Sequence, residues 1–173
     1  MSRFLISVQG LKGSGKTVVC EALIASLRAC GYAVAAMKAT HLPRLNLDRE
    51  GTDTHRQSLA GASAVVALAE EEVFLLEHTR CRRKFRELES LLPPQIQFVV
   101  AEGLEADEAP AVIICLRTPE DLVETLHLRG IPQERILGLT LLPAAANAVL
   151  GCGGTSASLL PAAADAVHES VGT

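Results

Sequence analysis

The stretch GLKGSGKT, residues 10–17, follows shortly after the apolar run FLISV at residues 4–8. Its spacing, Gly10-x4-Gly15-Lys16-Thr17, is the phosphate-loop pattern, in which glycines let the backbone curl around an anion at the start of a helix. In that pattern Lys16 reaches the β- and γ-phosphates, and Thr17 offers its hydroxyl to Mg²⁺. A chance glycine-rich turn is disfavoured, because a predicted strand precedes the loop and a predicted helix follows it. The predicted phosphate-binding residues are Gly10, Lys12, Gly13, Ser14, Gly15, Lys16 and Thr17.

Strands and helices are predicted to alternate along most of the chain. The predicted strands cover residues 3–9, 32–38, 62 or 63–69, 73–79, 95–101, 110–116 and 135–142, and the predicted helices cover residues 18–31, 52–61, 80–92 and 118–130. Near-continuous apolar strands in this order indicate an α/β fold, a P-loop NTPase with a mostly parallel β-sheet and helices on both faces. Residues 1–173 are predicted to form a single nucleotide-binding domain, with a terminal helix within residues 143–173.

The composition is that of a folded protein with a sizeable core, since 49% of the 173 residues are hydrophobic and 21% are charged. A net charge of -4, one Tyr and no Trp argue against a nucleic-acid surface, so a small molecule or a protein is the expected partner. Five cysteines without a C-x-x-C pair predict reduced, mostly buried thiols. The chain shows neither a signal-peptide pattern nor an apolar run of about 18 residues, so no membrane partner and a cytoplasmic location are expected.

Two charged residues follow or close predicted strands. Lys38 closes the second strand, where a parallel sheet would direct it towards the nucleotide; a solvated lysine at a strand end is the alternative. Glu102 follows the strand of residues 95–101, and a carboxylate there can hold Mg²⁺ or its waters, whereas a simple turn is the alternative. Position 97 in the same strand is Gln97, not an acid. The predicted metal ligands are Thr17 and Glu102, and the predicted catalytic residues are Lys16 and Glu102.

Residues 41–56, HLPRLNLDREGTDTHR, form a long connection that is dense in Asp, Arg and His and typical of a functional loop. Within it, Asp53 and Arg56 are predicted to bind the nucleotide, and the alternative is a helix cap with an ion pair. The basic run at residues 80–86 is predicted to be a solvated helix face, with anion binding as the alternative. His41 lies in this loop, and the spacing of the histidines does not support a metal site.

Four blocks of sequence make the chain resemble the MobB family, the molybdopterin-guanine dinucleotide biosynthesis protein B family. They are GLKGSGKT at residues 10–17, Lys38 followed by His41, DREGTDTHRQSLAGA at residues 48–62, and VVAEGL at residues 99–104. The third block is the most specific, because its acidic, basic and glycine positions fall at the family's spacing; they are Asp48, Gly51, Asp53, Arg56 and Ala60-Gly61-Ala62. The resemblance covers about residues 3–116.

The resemblance implies GTP–Mg²⁺ binding with slow hydrolysis, a homodimer, and cooperation with the guanylyltransferase that joins GMP to molybdopterin. Ala39 stands where the family often has His, Gln97 where it has an acid, and Thr52 and Thr54 where it has Lys and Ser. Guanine specificity comes from the family alone, because the chain lacks an Asn/Thr-Lys-x-Asp motif. The implied function is a GTP–Mg²⁺-binding, weakly hydrolysing accessory protein of molybdenum cofactor biosynthesis.

Two other functions remain compatible with a phosphate loop. An ATP-dependent small-molecule kinase would use the same positioning and charge neutralisation, and its arginine-bearing lid would have to come from residues 80–86. A regulatory switch would use the nucleotide state to control a partner. ATP therefore stays open as an alternative to GTP.

Overall fold

A computed structural model describes residues 3–40, 42, 45, 48–79, 83–104 and 109–141. The strands are β1 (Phe4–Gly10), β2 (Val34–Lys38), β3 (Ala64–Leu68), β4 (Val73–Glu77), β5 (Phe98–Glu102), β6 (Ala111–Leu116) and β7 (Ile136–Leu141). The helices are α1 (Lys16–Ala29), α2 (Asp53–Leu59), α3 (Phe85–Glu89) and α4 (Asp121–Arg129), with a short 3-10 turn at Gln133–Arg135. No helix in this part of the chain is long and apolar enough to span a membrane. The terminal helix expected within residues 143–173, and His41, lie outside the described residues.

The chain divides into two compact units. The sheet unit contains the described residues of Met1–Thr40 and Leu91–Thr173, and the hairpin unit contains those of His41–Ser90. The α/β fold is confirmed, whereas the assignment of residues 1–173 to one nucleotide-binding domain stays a prediction.

The sheet unit is built on five parallel strands in the order β2-β5-β1-β6-β7. The central strand β1 pairs with β5 on one side and with β6 on the other. All six residues of β6 are buried, as expected for a strand that is covered on both faces. Helix α1 leads from β1 towards β2, and α4 leads from β6 towards β7 in the opposite direction. Because such crossovers are right-handed, the two helices lie on opposite faces of the sheet.

Helix α1 packs one apolar stripe against the sheet. Cys20, Leu23 and Leu27 follow each other at helical spacing and are buried against Ile6 and Val8 of β1 and against neighbouring strands. The helix begins two residues earlier than predicted, at Lys16, so the last two residues of the phosphate-loop pattern belong to its first turn. This packing fixes the start of α1 directly above the end of β1.

The hairpin unit differs from the expectation of one mostly parallel sheet. Strands β3 and β4 pair with each other as an antiparallel hairpin, and neither belongs to the five-stranded sheet. Only residues 69–72 connect them, and a parallel crossover needs about a dozen residues or more, so an antiparallel pair is the permitted arrangement. The helix predicted over residues 80–92 is also shorter: it starts at Phe85, because Lys84 has an extended backbone, and it ends at Glu89.

The substitution Gly10→Ala tests how tightly the end of β1 is packed. Gly10 has φ +145°, and a Cβ atom there would overlap the carbonyl oxygen of Cys115 and lie 2.5 Å from Ser14 Oγ. We expect the free energy of unfolding, measured by urea titration, to fall by about 2 kcal/mol or more. Gly138→Ala in β7 is the matched control, because no atom lies within 4 Å of its Cβ position. Equal stability of the two variants would contradict this packing.

Candidate nucleotide-binding site

The phosphate loop connects β1 to α1 and is shaped by glycines. Gly10, Gly13 and Gly15 all have positive φ, and the space around the Cβ position of Gly13 is open. Gly15 is the N-cap of α1, so no side chain caps the first turn of this helix. Backbone N–H groups and the positive end of the helix dipole at such a turn favour an anion. The loop thus has the geometry predicted for a phosphate cradle.

Two polar side chains of this loop indicate that the cradle fits a phosphate group. The Lys16 ammonium donates hydrogen bonds to the carbonyl oxygens of Gly10, at 3.1 Å, and Leu11, at 2.7 Å, which holds its charge against the loop. Ser14 is buried, and its hydroxyl has no hydrogen-bond partner among the described residues. A buried hydroxyl without a partner is costly, and a phosphate oxygen would satisfy it. Lys12 is exposed on the same loop.

Thr17, Lys38 and Glu102 meet beside the loop. The Thr17 hydroxyl donates to Glu102 Oε2 at 3.0 Å, and Lys38 Nζ lies 3.2 Å from Glu102 Oε1. Strand pairing explains the meeting, because Glu102 is directly opposite Val8 of β1 and opposite Lys38 of β2. The side chain of Glu102 is 14% exposed, whereas that of Lys38 is 64% exposed, so this ion pair adds little to stability. Its significance is that it places both charges next to the phosphate loop.

The oxygen atoms of Thr17 and Glu102 suit Mg²⁺, which takes oxygen ligands and usually keeps waters and phosphate oxygens in its shell. Among the described residues no three His, Cys, Asp or Glu side chains form a metal-binding group. A hydroxyl and one carboxylate would therefore hold the ion together with the nucleotide, as phosphate-loop proteins do.

Buried polar residues of β1 fix the turn that follows Glu102. The carbonyl oxygen of Leu104 accepts hydrogen bonds from the Ser7 hydroxyl, at 2.9 Å, and from the Gln9 side-chain amide, while the Gly103 N–H donates to the Val8 carbonyl. Gly103 has φ +72°, which only glycine adopts readily. Ser7 and Gln9 were missed from the sequence, because polar residues inside an apolar strand give no sign of the partner that they bind.

Gln97 and Ala39, two residues that depart from the family pattern, lie at opposite ends of the paired strands. Gln97 directly precedes β5, and its side-chain oxygen accepts from the Ala33 N–H at 3.1 Å, so it lies at the end of the sheet away from the phosphate loop. Ala39 follows Lys38 and donates its N–H to the Glu102 carbonyl. Gln97 therefore leaves the Thr17–Glu102 geometry intact.

The cysteines close to the site are inert. Cys20 and Cys115 are buried as predicted, whereas Cys30 is exposed, and Cys81 and Cys152 lie outside the described residues. Burial, and then the negative charge of Glu102, raises the pKa of Cys20 to about 12. Burial also raises the pKa of Cys115. Both thiols stay neutral at physiological pH and serve as packing residues.

The candidate residues Asp53 and Arg56 belong to the hairpin unit. They form an exposed i,i+3 ion pair at 3.6 Å on α2, and Thr52, not Asp53, is the N-cap of that helix. Asp48 organises this start, since its Oδ1 accepts from the hydroxyls of Thr52, at 3.1 Å, and Thr54, at 2.9 Å. A nucleotide-binding role for Asp53 and Arg56 stays a prediction.

The basic run begins outside the described residues, because Arg80 and Arg82 are not among them. The Arg83 guanidinium forms an ion pair with the Glu77 carboxylate of β4. Lys84 is the N-cap of α3 and contributes no side-chain cap. Because Arg83 pairs with a carboxylate of its own unit, a structural role of this residue is favoured over anion binding.

Arg117 and Asp121 form an ion pair at the end of β6, called the clamp below, which was not predicted. The Asp121 carboxylate accepts hydrogen bonds from Arg117 Nε at 2.8 Å, from Arg117 Nη2 at 2.9 Å and from the backbone N–H groups of Arg117 and Thr118. The helix predicted over residues 118–130 begins at Asp121, with Glu120 as its N-cap. The i,i+4 spacing of Arg117 and Asp121 was the available signal.

The clamp predicts a pH dependence of stability. The Arg117 guanidinium, and then backbone N–H groups, hold the pKa of Asp121 well below its ordinary value of 3.8. A lowered folded-state pKa contributes stability above the ordinary value, and this contribution is lost as the pH falls further. We therefore expect Asp121→Asn to lower Tm at pH 7 and the Tm gap to narrow below about pH 3.8. Glu124→Gln, an exposed change on the same helix, is the control, and a gap that stays constant down to pH 2 would contradict the clamp.

The family model "Molybdopterin guanine dinucleotide synthesis protein B", MobB, matches residues 5–128. Among curated proteins, the molybdopterin-guanine dinucleotide biosynthesis adapter protein of Haemophilus influenzae is 28% identical over 64% of this chain and 62% of its own length, so the chain spans about three-fifths of that relative. The adapter protein of the same name from Escherichia coli is 23% identical over 78% of this chain and 81% of its own length.

Solved structures of MobB proteins share the fold. The MobB homologue from Bacillus stearothermophilus superimposes with a TM-score of 0.63, at 19% identity, over 95% of this chain and 98% of its own. Bacillus subtilis MobB gives a TM-score of 0.59, at 22% identity, over 87% of this chain and 99% of its own. Because the family model covers more than half of the sequence, this chain belongs to the MobB family.

Proposed function

We propose that this chain binds GTP with Mg²⁺, hydrolyses it slowly, and acts as an accessory protein in molybdenum cofactor biosynthesis, assisting the guanylyltransferase that attaches GMP to molybdopterin. The observation that carries the nucleotide site is the convergence of Lys16, Thr17 and Glu102 at the end of β1. The biosynthetic role rests on membership of the MobB family and on relatives named as adapter proteins of molybdopterin-guanine dinucleotide biosynthesis.

Each polar group of the loop has a different role in the proposed binding of a triphosphate. The loop N–H groups and the Ser14 hydroxyl would donate to phosphate oxygens, and the Lys16 ammonium, held at the loop carbonyls, would supply positive charge for the β- and γ-phosphates. Thr17 and Glu102 would hold Mg²⁺, and the ion would supply positive charge that neutralises the phosphates. The Lys38 ammonium lies next to Glu102 and adds positive potential on the same side.

We attribute slow hydrolysis to the contacts that the Glu102 carboxylate makes with Thr17 and Lys38. One of its carboxylate oxygens accepts from the Thr17 hydroxyl and the other pairs with Lys38, so a Glu102 side chain that also holds Mg²⁺ would position an attacking water poorly. A site that binds well but positions water poorly suits an accessory protein, in which the bound nucleotide has a longer lifetime.

Calorimetry of nucleotide binding tests the site. We expect the wild-type chain with Mg²⁺ to bind GTP more tightly than ATP, and Lys16→Ala to weaken GTP binding at least about tenfold, because a charge-assisted contact to phosphate is lost. Lys84→Ala in the hairpin unit is the matched control, because it removes the same charge from a residue of the other unit. An unchanged affinity in Lys16→Ala would refute the phosphate site, whereas tighter binding of ATP would favour the small-molecule kinase.

A capture experiment tests the partner. The guanylyltransferase that attaches GMP to molybdopterin should be retained by the immobilised chain, and its retention should be compared in the presence of GTP, GDP and neither nucleotide. Equal retention in the two nucleotide states would exclude a regulatory switch, and absence of retention in all three would argue against the accessory role.

We also propose that the chain forms a homodimer through one face of the hairpin. Cross-strand pairing places Val66 opposite Leu75 and Leu68 opposite Val73, and these four side chains are 46–77% exposed. Since successive side chains of a strand alternate between faces, the four lie on one face of the hairpin. A contiguous exposed apolar face of this kind is typical of an interaction surface, and a hairpin alone is marginally stable in water.

The charge substitution Leu68→Asp tests this interface. We expect it to shift the molar mass in solution, measured by light scattering, from dimer to monomer, because a carboxylate would have to be buried. Val123→Asp is the control, since Val123 on α4 is exposed to a similar extent, 73% against 77% for Leu68. A wild-type monomer, or a Leu68→Asp variant that stays dimeric, would contradict the proposal.

A further inference from the structure

The positions of the site residues give a direction to the proposed nucleotide, and this inference rests on the nucleotide-binding function proposed above. Glu102 and Lys38 end β5 and β2, which lie on the same side of the central strand β1. Thr17 bonds to Glu102 on that side as well. If Thr17 and Glu102 hold Mg²⁺, the phosphates that share the ion would lie on this side, and the terminal end of the triphosphate would point towards β5 and β2.

The nucleoside must then leave the phosphate loop on the other side of β1, over the ends of β6 and β7. Strand pairing aligns Gly10 with Cys115 of β6. Arg117 comes two residues later, about 7 Å further along the strand direction, and is the first residue after β6. It therefore stands at the end of the sheet where the ribose and the base would pass.

Arg117 has the geometry of a stacking platform. Its Nε and Nη2 bind the two oxygens of the Asp121 carboxylate, at 2.8 and 2.9 Å, so two parallel hydrogen bonds hold the guanidinium plane. Asp121 is itself buried and anchored by the N–H groups of Arg117 and Thr118. The side chain of Arg117 nevertheless stays 45% exposed. A planar, fixed and partly exposed guanidinium is a surface on which nucleobases stack.

We propose that the Arg117 guanidinium, clamped by Asp121, is the platform on which the base of the bound nucleotide stacks. Stacking tolerates any base, because every base offers a flat π-face. Arg117 thus supplies affinity for the nucleoside as such, and the choice between guanine and adenine is made by other groups. A platform that binds any base is consistent with a chain that lacks the base-reading motif Asn/Thr-Lys-x-Asp.

Calorimetry with three ligands separates base binding from phosphate binding: GTP, ATP and inorganic tripolyphosphate, each with Mg²⁺. We expect Arg117→Ala to weaken the binding of GTP and ATP by a similar factor, about tenfold, and to leave that of tripolyphosphate unchanged. Arg117→Lys keeps a cation next to Asp121 and lacks the planar group, so it should lose nucleoside affinity in the same selective way. Arg28→Ala, at the far end of α1, is the control for loss of an exposed arginine.

Three outcomes would overturn the platform: equal weakening of tripolyphosphate and nucleotide binding, full affinity in Arg117→Lys, or full affinity in Arg117→Ala. The first would make Arg117 a phosphate ligand, the second would reduce its role to charge, and the third would leave it only as part of the helix start. In each of these cases Lys16→Ala still weakens the binding of all three ligands. A wild-type chain that binds none of them would instead refute the nucleotide site itself, and the platform with it.

Discussion

The close approach of three chain segments at Gly10 is the constraint on which the rest of the sheet unit depends. The chain must turn from β1 into α1 next to the last residues of β6, and Gly10 is the point at which the Cys115 carbonyl and the Ser14 hydroxyl meet the backbone. A side chain there would displace either the neighbouring strand or the loop. Because β1 carries β5 on one side and β6 on the other, Gly10 positions the loop relative to Glu102 and to Arg117 at once.

Much of the sheet unit could be predicted because its signals are local. The run before the phosphate loop is mostly apolar, the loop has fixed glycine positions, and α1 repeats apolar residues at helical spacing. The convergence of Lys38 and Glu102 was also predictable, since parallel strands bring their C-terminal ends to one edge. Each of these predictions needed only neighbouring residues or one general rule of sheet topology.

The features that were not predicted depend on which strand or side chain is the partner, and a local sequence pattern does not identify that partner. Strands β3 and β4 were recognised as strands, but the pattern of a strand does not state its partner, and the short connection of residues 69–72 was the overlooked sign. Asp121 lies within the predicted helix of residues 118–130, and a helix pattern does not show its bond to Arg117, which forms where the chain leaves β6 and enters α4. Ser7 and Gln9 bind a carbonyl almost a hundred residues away, which no local pattern reveals.

The hairpin unit lies within the connection between β2 and β5, two strands that are direct neighbours in the sheet. The entropy of closing such a connection grows only with the logarithm of its length, so each doubling costs about 0.6 kcal/mol. A change in the length of the hairpin unit, residues 41–90, should therefore have little effect on the stability of the sheet through the entropy of loop closure. The fold thus separates a connecting segment that tolerates changes in length from a strand order that keeps Glu102 opposite Val8 and Lys38.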